Sequence, residues 1–376
     1  MVLGIGGADS GMADHKSRHV SITPTSGPLR ILCFGAGAIG TYIGGSLALA
    51  GHQVVFLERP TLADQLHKNG LHLTLGDRQF SVDQPRIIQS LDELLSGEET
   101  RFDAGLVAVK AYDTAEFAQS LAPYREVLPP LLCLQNGVDN ESQLGEVIGV
   151  ERVISGTVTS AIGRLGVGEI VLERLRGVGV TAGFPISDHL VRALNEAGLS
   201  ARLYANGASM KWSKLLTNLL ANATSAILDM TPAQIYAHPG LVRLEIGQIK
   251  EALHVMRRLG LQPVNLPGTP IKLLVWGIDW LPTSLLGPLM RRVIGSGRGG
   301  KMPSFHIDLH QGRGISEVRY LNGAVVLHGA ENGYDALVNR RLTEILEGLT
   351  DRTIALEEYR HAPEKLLAAI NDGRNQ

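Results

Sequence analysis

Apolar positions follow two rhythms along this chain. From Leu29 to about Tyr204 they come in short runs bounded by glycine, proline and polar residues, the pattern of buried strands. After Asn206-Gly207 they come at helical spacing in longer segments. The first run, 29–34, leads into a turn with Gly35, Gly37 and Gly40. A helix-like segment follows over 41–50, ended by Gly51, and then a second strand over 53–57. A helix over 61–69 is expected to stop at Gly70. The alternating stretches 71–75 and 79–82 flank Gly76-Asp77 and predict a small hairpin. Core strands are expected over 103–109, running into Lys110, and over 131–135, running into Asn136-Gly137. Shorter strands over 154–162, 170–173 and 178–182 would complete the sheet.

In the helical half, 210–225 reads as one helix. Lys214, Asn218 and Asn222 fall at i, i+4 and i+8 on one face of it, and Ser225 continues that face. Leucines and Ala223 surround the stripe. An outer face in water would more often carry Glu, Lys and Arg, so the narrow stripe predicts polar groups lining a cleft; a modestly polar exposed side is the bland alternative. Residues 241–259 form a further amphipathic helix. Within 261–303, the apolar stretch 271–290 is interrupted by Lys272, Asp279, Pro282 and Pro288. It is not a clean membrane span, and a helical lid or an oligomer contact is expected there. Ser316 is a good N-cap for a helix starting at Glu317, where an acid is also favoured by the helix dipole alone.

Composition narrows the class. A chain of 376 residues suggests two domains. Its formal net charge of −2 points away from nucleic acid or an anionic membrane as partner. Cys33 and Cys133 both lie in apolar runs and read as buried free thiols, and no Cys or His spacing suggests a metal. Residues 1–28 lack apolar periodicity and any signal-type hydrophobic region, so a flexible leader and a cytoplasmic location are the expectations.

Candidate chemistry begins at the glycine turn. Gly35 allows the sharp turn, Gly37 lets backbone N–H groups approach a pyrophosphate, and Gly40 lets the helix pack close to the strand. The helix start, with Ala38 and Ile39, adds a positive dipole end. Lys110 and Asn136 occupy strand ends, where ligands bind in open α/β sheets. The second strand ends in Glu58-Arg59. An acid there suits the ribose hydroxyls of NAD, an arginine the 2′-phosphate of NADP, and this chain carries both.

These residues together resemble the ketopantoate reductase family, the 2-dehydropantoate 2-reductases. The carrying pattern is Gly35/Gly37/Gly40, Lys110, Asn136-Gly137, Lys214/Asn218/Asn222, then Ser304, Asp308, Gly312-Arg313, Glu317 and Asn322-Gly323, in family order. The resemblance implies an α/β Rossmann-type dinucleotide-binding domain (29–205) followed by an all-α C-terminal substrate and dimerisation domain (206–376), with the site between them. It implies Lys214 as general acid, with Glu317 orienting it and contacting substrate. Asn136, Asn218, Asn222 and Ser304 would position substrate alongside Lys214. Gly35, Gly37, Ala38, Ile39, Gly40, Arg59, Lys110 and Asn136 would hold the cofactor, NADPH, with NADH allowed by Glu58. A small 2-oxo acid would be the substrate and a homodimer the assembly. Lys301, Pro303 and Arg319 depart from the family pattern where substrate would be read, and Lys301 could favour a longer anionic substrate. The 261–303 stretch is also longer than in compact members of that family, and with Lys301 it prompts a second reading, a reductase for a different, bulkier 2-oxo acid or ketone; a non-catalytic dinucleotide-binding regulator is a third.

Overall fold

The computed structural model describes residues 27–95, 101–292, 302–312 and 314–372. Its strands are β1 (Arg30–Phe34), β2 (Gln53–Leu57), β3 (Leu71–Leu75), β4 (Arg78–Val82), β5 (Arg86–Ile88), β6 (Ala104–Val107), β7 (Leu131–Cys133), β8 (Val153–Val158), β9 (Ala161–Gly166), β10 (Glu169–Arg174), β11 (Val178–Thr181) and β12 (Ala201–Tyr204). The first six helices are α1 (Ala38–Leu49), α2 (Pro60–Asn69), α3 (Asp92–Leu95), α4 (Thr114–Leu121), α5 (Asn140–Ile148) and α6 (Ser187–Glu196). The helical half holds α7 (Gly207–Leu219), α8 (Ala223–Leu228), α9 (Pro232–Ile235), α10 (Pro239–Arg258), α11 (Ile271–Trp280), α12 (Thr283–Met290), α13 (Ser304–His310), α14 (Val318–Glu331), α15 (Leu337–Thr350) and α16 (Pro363–Asp372).

The main sheet has eight strands in the order β12-β11-β8-β7-β6-β1-β2-β5. β1 pairs in parallel with β2 on one side and β6 on the other, so the chain reverses its direction of travel beside β1. That reversal opens a crevice at the carboxyl ends of the strands, where ligands bind in such folds. Ile31, Leu32, Cys33 and Phe34 are all buried, which explains an unbroken apolar run in place of alternation. Both cysteines are free and buried.

Two expectations change here. The stretch 154–162 is two strands, and β9 and β10 do not extend the main sheet. They join the β3–β4 hairpin in a second sheet of order β4-β3-β10-β9. The corner is at Thr159 and Ser160. Thr159 Oγ1 donates to the carbonyls of Gly177 (3.0 Å) and Pro267 (2.9 Å), and Ser160 Oγ accepts the N–H groups of Arg176 and Gly177. These bonds satisfy backbone that a continuous strand would have paired.

The second change is in the helical half, where 210–225 is not one helix. α7 ends at Leu219, Ala221 takes the left-handed conformation (φ 49°), and α8 starts after Asn222. Two buried side chains of α10 take over the freed backbone groups. Gln248 Nε2 donates to the Leu219 carbonyl (3.2 Å), and the Ala221 N–H donates to Glu245 Oε2 (2.6 Å). Thr224 Oγ1 and the Tyr236 hydroxyl also donate to the Glu245 carboxylate. Burial pushes the Glu245 carboxyl up, and these four donors (with Gln248) pull against it.

The apolar stretch 271–290 is two helices parted at Leu281-Pro282, with Leu273, Trp276, Trp280 and Leu285 exposed. Among the described residues, no helix is long and apolar enough to cross a membrane.

Candidate active site

The glycine turn has the geometry that a phosphate cradle needs. Gly35 has φ +95°, and a Cβ at Gly40 would fall 1.8 Å from the Gly35 carbonyl oxygen, so α1 can approach β1 only with glycine there. A Cβ at Gly37 would meet nothing within 4 Å, because Gly37 faces a cavity of about 910 Å³. Ala38, Ile39, Arg59, Lys110 and Asn136 line the same cavity. The twelve-residue helix α1 opens at Gly37 and points its unpaired N–H groups to this space. A dinucleotide pyrophosphate fits these residues.

Glu58 is turned back on the loop. The Ala36 N–H donates to its Oε1 (2.6 Å) and the Arg59 N–H to its Oε2 (3.1 Å). Arg59 is exposed at the cavity rim. Burial raises the Asp113 carboxyl, and the Arg59 charge opposes that rise from the same cavity wall.

Across the cavity, Lys110 Nζ lies 2.9 Å from Glu317 Oε2 and 3.6 Å from Asp308 Oδ2. The Ala111 N–H donates to Glu317 Oε1 (3.3 Å). Burial alone would lower the lysine, but the two carboxylates outweigh it and its pKa is raised, so Lys110 is an ammonium. Glu317 is buried just before α14. The expected cap is shifted by one residue: Ser316 Oγ accepts the Val318 N–H (3.2 Å).

The substrate-side residues meet in pairs. Asn218 Nδ2 donates to Asn136 Oδ1 (3.1 Å), and the Asn140 amide holds the Asn136 carbonyl (2.7 Å). Lys214 is half-buried one turn before Asn218 on the same face of α7. Because the helix breaks, Asn222 does not continue that face. It turns to α13 instead, donating to Ser304 Oγ (3.3 Å) and accepting the Phe305 N–H (3.1 Å). The cavity wall includes Lys110, Asn136 and Glu317, but not Lys214, Asn218, Asn222 or Ser304. Of the departures noted above, Arg319 pairs with Glu347 on α15 (2.7 Å) and is exposed. Lys301 and Arg313 lie outside the described residues.

Lys211 escaped the sequence reading. It is buried, donates to the Gln135 carbonyl (2.6 Å), and forms an ion pair with Glu141 Oε1 at 2.9 Å. It pins the strand end that presents Asn136 to the helix that presents Lys214. Its signal was a lysine one turn before Lys214 on an otherwise apolar helix side.

A glycine cradle at the switch point of a parallel sheet, faced by a helical half, puts the chain among the dinucleotide-binding α/β proteins. The family description "Ketopantoate reductase PanE/ApbA" matches residues 31–182, and its C-terminal counterpart matches 206–350. The chain belongs to the ketopantoate reductase family, oxidoreductases acting on CH–OH groups. It is 27% identical over 326 residues to a 2-dehydropantoate 2-reductase of Archaeoglobus fulgidus, covering 85% of this chain and 97% of that one. A Streptococcus pyogenes protein of the same name is 24% identical over 323 residues, covering 83% and 95%. Among solved structures, a PanE/ApbA family ketopantoate reductase from Ralstonia eutropha superimposes with a TM-score of 0.72 at 24% identity, covering 86% of this chain and 99% of that one. A D-mandelate dehydrogenase solved with NADH and anilino(oxo)acetate shares the fold, with a TM-score of 0.69 at 20% identity and the same coverage.

Proposed function

We propose that this protein is an NADPH-dependent reductase of a 2-oxo acid, with 2-dehydropantoate, reduced to pantoate for pantothenate and coenzyme A synthesis, as first candidate. The observation that carries it is the docking of the Lys214 face of α7, through Asn218, onto Asn136 at the edge of the dinucleotide cavity. The nicotinamide, when bound, supplies a hydride to the substrate carbonyl carbon. Negative charge then grows on the carbonyl oxygen. Lys214 is assigned to stabilise that charge and give its proton to the oxygen. Glu317 is assigned to orient Lys214 and contact substrate. Its two oxygens are held in direction by Lys110 and the Ala111 N–H. Asn136, Asn218, Asn222 and Ser304 are assigned to the substrate's polar groups. The domain division at 205/206, a homodimer and a cytoplasmic location belong to the same reading, and sedimentation velocity checks the dimer.

The test is oxidation of NADPH and NADH with a panel of 2-oxo acids that includes 2-dehydropantoate. Turnover with 2-dehydropantoate is expected, and Lys214→Ala should lower kcat by about 10²–10⁴ while cofactor binding stays nearly unchanged. Near-normal turnover in that variant removes Lys214 from the chemistry. Preference for a bulkier 2-oxo acid would favour the second reading, whose support is Lys301 together with the long 261–303 stretch. Cofactor binding without oxidation by any acid would leave the regulator reading.

A further inference from the structure

α13 has two working faces. Ser304 and Asp308, at i and i+4, face Asn222 and Lys110. His306 and His310, also at i and i+4, project from the opposite side. There they meet Asp229, which caps the C-terminal end of α8 in the left-handed conformation (φ 51°). His306 Nε2 is 2.7 Å from Asp229 Oδ1, and the two imidazoles stack with ring centres 4.1 Å apart. One ligand atom from each of the three residues lies within 4.8 Å of the other two.

The surroundings resemble a support for ligands more than a simple ion pair. Arg360 Nε donates to the second oxygen of Asp229 (3.0 Å), which leaves the first oxygen aimed at the histidines. Such a partner behind a ligand sets its direction in metal sites. Asp229 and His306 are half-buried while His310 is exposed, so one side of the group stays open to solvent.

We propose that Asp229, His306 and His310 form a site for one divalent transition-metal ion of the Zn²⁺ or Ni²⁺ class, with three protein ligands and a solvent-facing position. Two imidazoles and one carboxylate suit such ions and not Mg²⁺ or Ca²⁺, which take oxygen ligands. Ligand atoms around a tetrahedral Zn²⁺ are about 3.4 Å apart, given bonds of about 2.0–2.1 Å. Binding therefore requires the His306–Asp229 pair to open slightly and His310 to swing in. The ion would tie α13 to the end of α8, and so brace both partners of the Asn222–Ser304 contact.

The test is calorimetric titration of the full chain, free of any histidine tag and stripped with chelator, with ZnCl₂, NiCl₂ and MgCl₂. One ion per chain is expected for Zn²⁺ and Ni²⁺, none for Mg²⁺, with a matching rise in melting temperature. His310→Gln, an exposed position, should weaken Zn²⁺ binding by at least about 10–100-fold, and His306→Gln/His310→Gln should abolish it. Unchanged circular dichroism in His310→Gln separates lost ligation from lost folding. Zn²⁺ uptake that is absent in the wild type, or equal in the wild type and the double variant, overturns the site. Heat is the readout, so the outcome does not depend on which substrate is reduced.

Discussion

Position 58 decides how the neighbouring arginine is read. A carboxylate that binds ribose hydroxyls must present its oxygens to the cavity. Both oxygens of Glu58 are instead taken by the Ala36 and Arg59 N–H groups. That removes most of the conflict between an acid and an adjacent 2′-phosphate, and leaves Arg59 exposed at the rim. One or two charge-assisted hydrogen bonds to a phosphate contribute about 1.5–3 kcal/mol. Arg59→Ala should therefore raise KM for NADPH on the order of 10–100-fold and barely move KM for NADH. Equal changes for both cofactors would show that Arg59 does not read the phosphate. The sequence held both residues but not the direction of either, because the partner of Glu58 is a backbone N–H 22 positions away.

At the scale of elements, local pattern was read well and distant pairing was not. The strand at Gln53–Leu57 and the stop at Gly70 (φ +73°) rest on neighbouring residues alone, and both stand where the pattern put them. The second sheet and the helix break rest on distant partners. Nothing between 210 and 225 announces that Glu245 will claim the Ala221 N–H from 24 positions away. The break matters because it turns Asn222 from the Lys214 face towards Ser304. Glu245→Ala would leave the Ala221 N–H and two hydroxyls buried without an acceptor, a loss of about 3–5 kcal/mol. A melting temperature lower by roughly 10 °C is expected, with a raised KM for the 2-oxo acid; Glu245→Gln should lose less. Wild-type melting and KM in the alanine variant would mean that the break holds without the carboxylate.

At the scale of the whole molecule, the polar contacts that join the halves include three far from one another in sequence: Lys110 to Glu317, Lys211 to the Gln135 carbonyl, and His328 to Asp139. The last gives the molecule a pH dependence. Hydrogen bonding to Asp139 is the largest cause that raises the His328 pKa, and Glu331 adds to it. A histidine raised in the folded state stabilises fully below its unfolded value of about 6.5, and that stability is lost as pH rises through the folded value. The melting temperature of the wild type should thus exceed that of His328→Gln most at about pH 6, and the gap should narrow towards about pH 8. A gap that is constant with pH would show that the imidazolium does not bind the halves together. None of these three contacts was legible beforehand, since each joins residues far apart in sequence; what was legible was that Lys110, Asn136 and Glu317 belong near one cleft.

The Lys110–Glu317 bond spans 207 positions. Growing at about 5–20 residues per second, a nascent chain adds Glu317 roughly 10–40 s after Lys110. The glycine turn, Arg59 and Lys110 all precede that interval, and the acid that closes the far wall follows it. During synthesis the protein thus has the residues of a dinucleotide cradle well before it has those of a complete cleft, and its order of manufacture repeats the order in which cofactor and substrate would be needed.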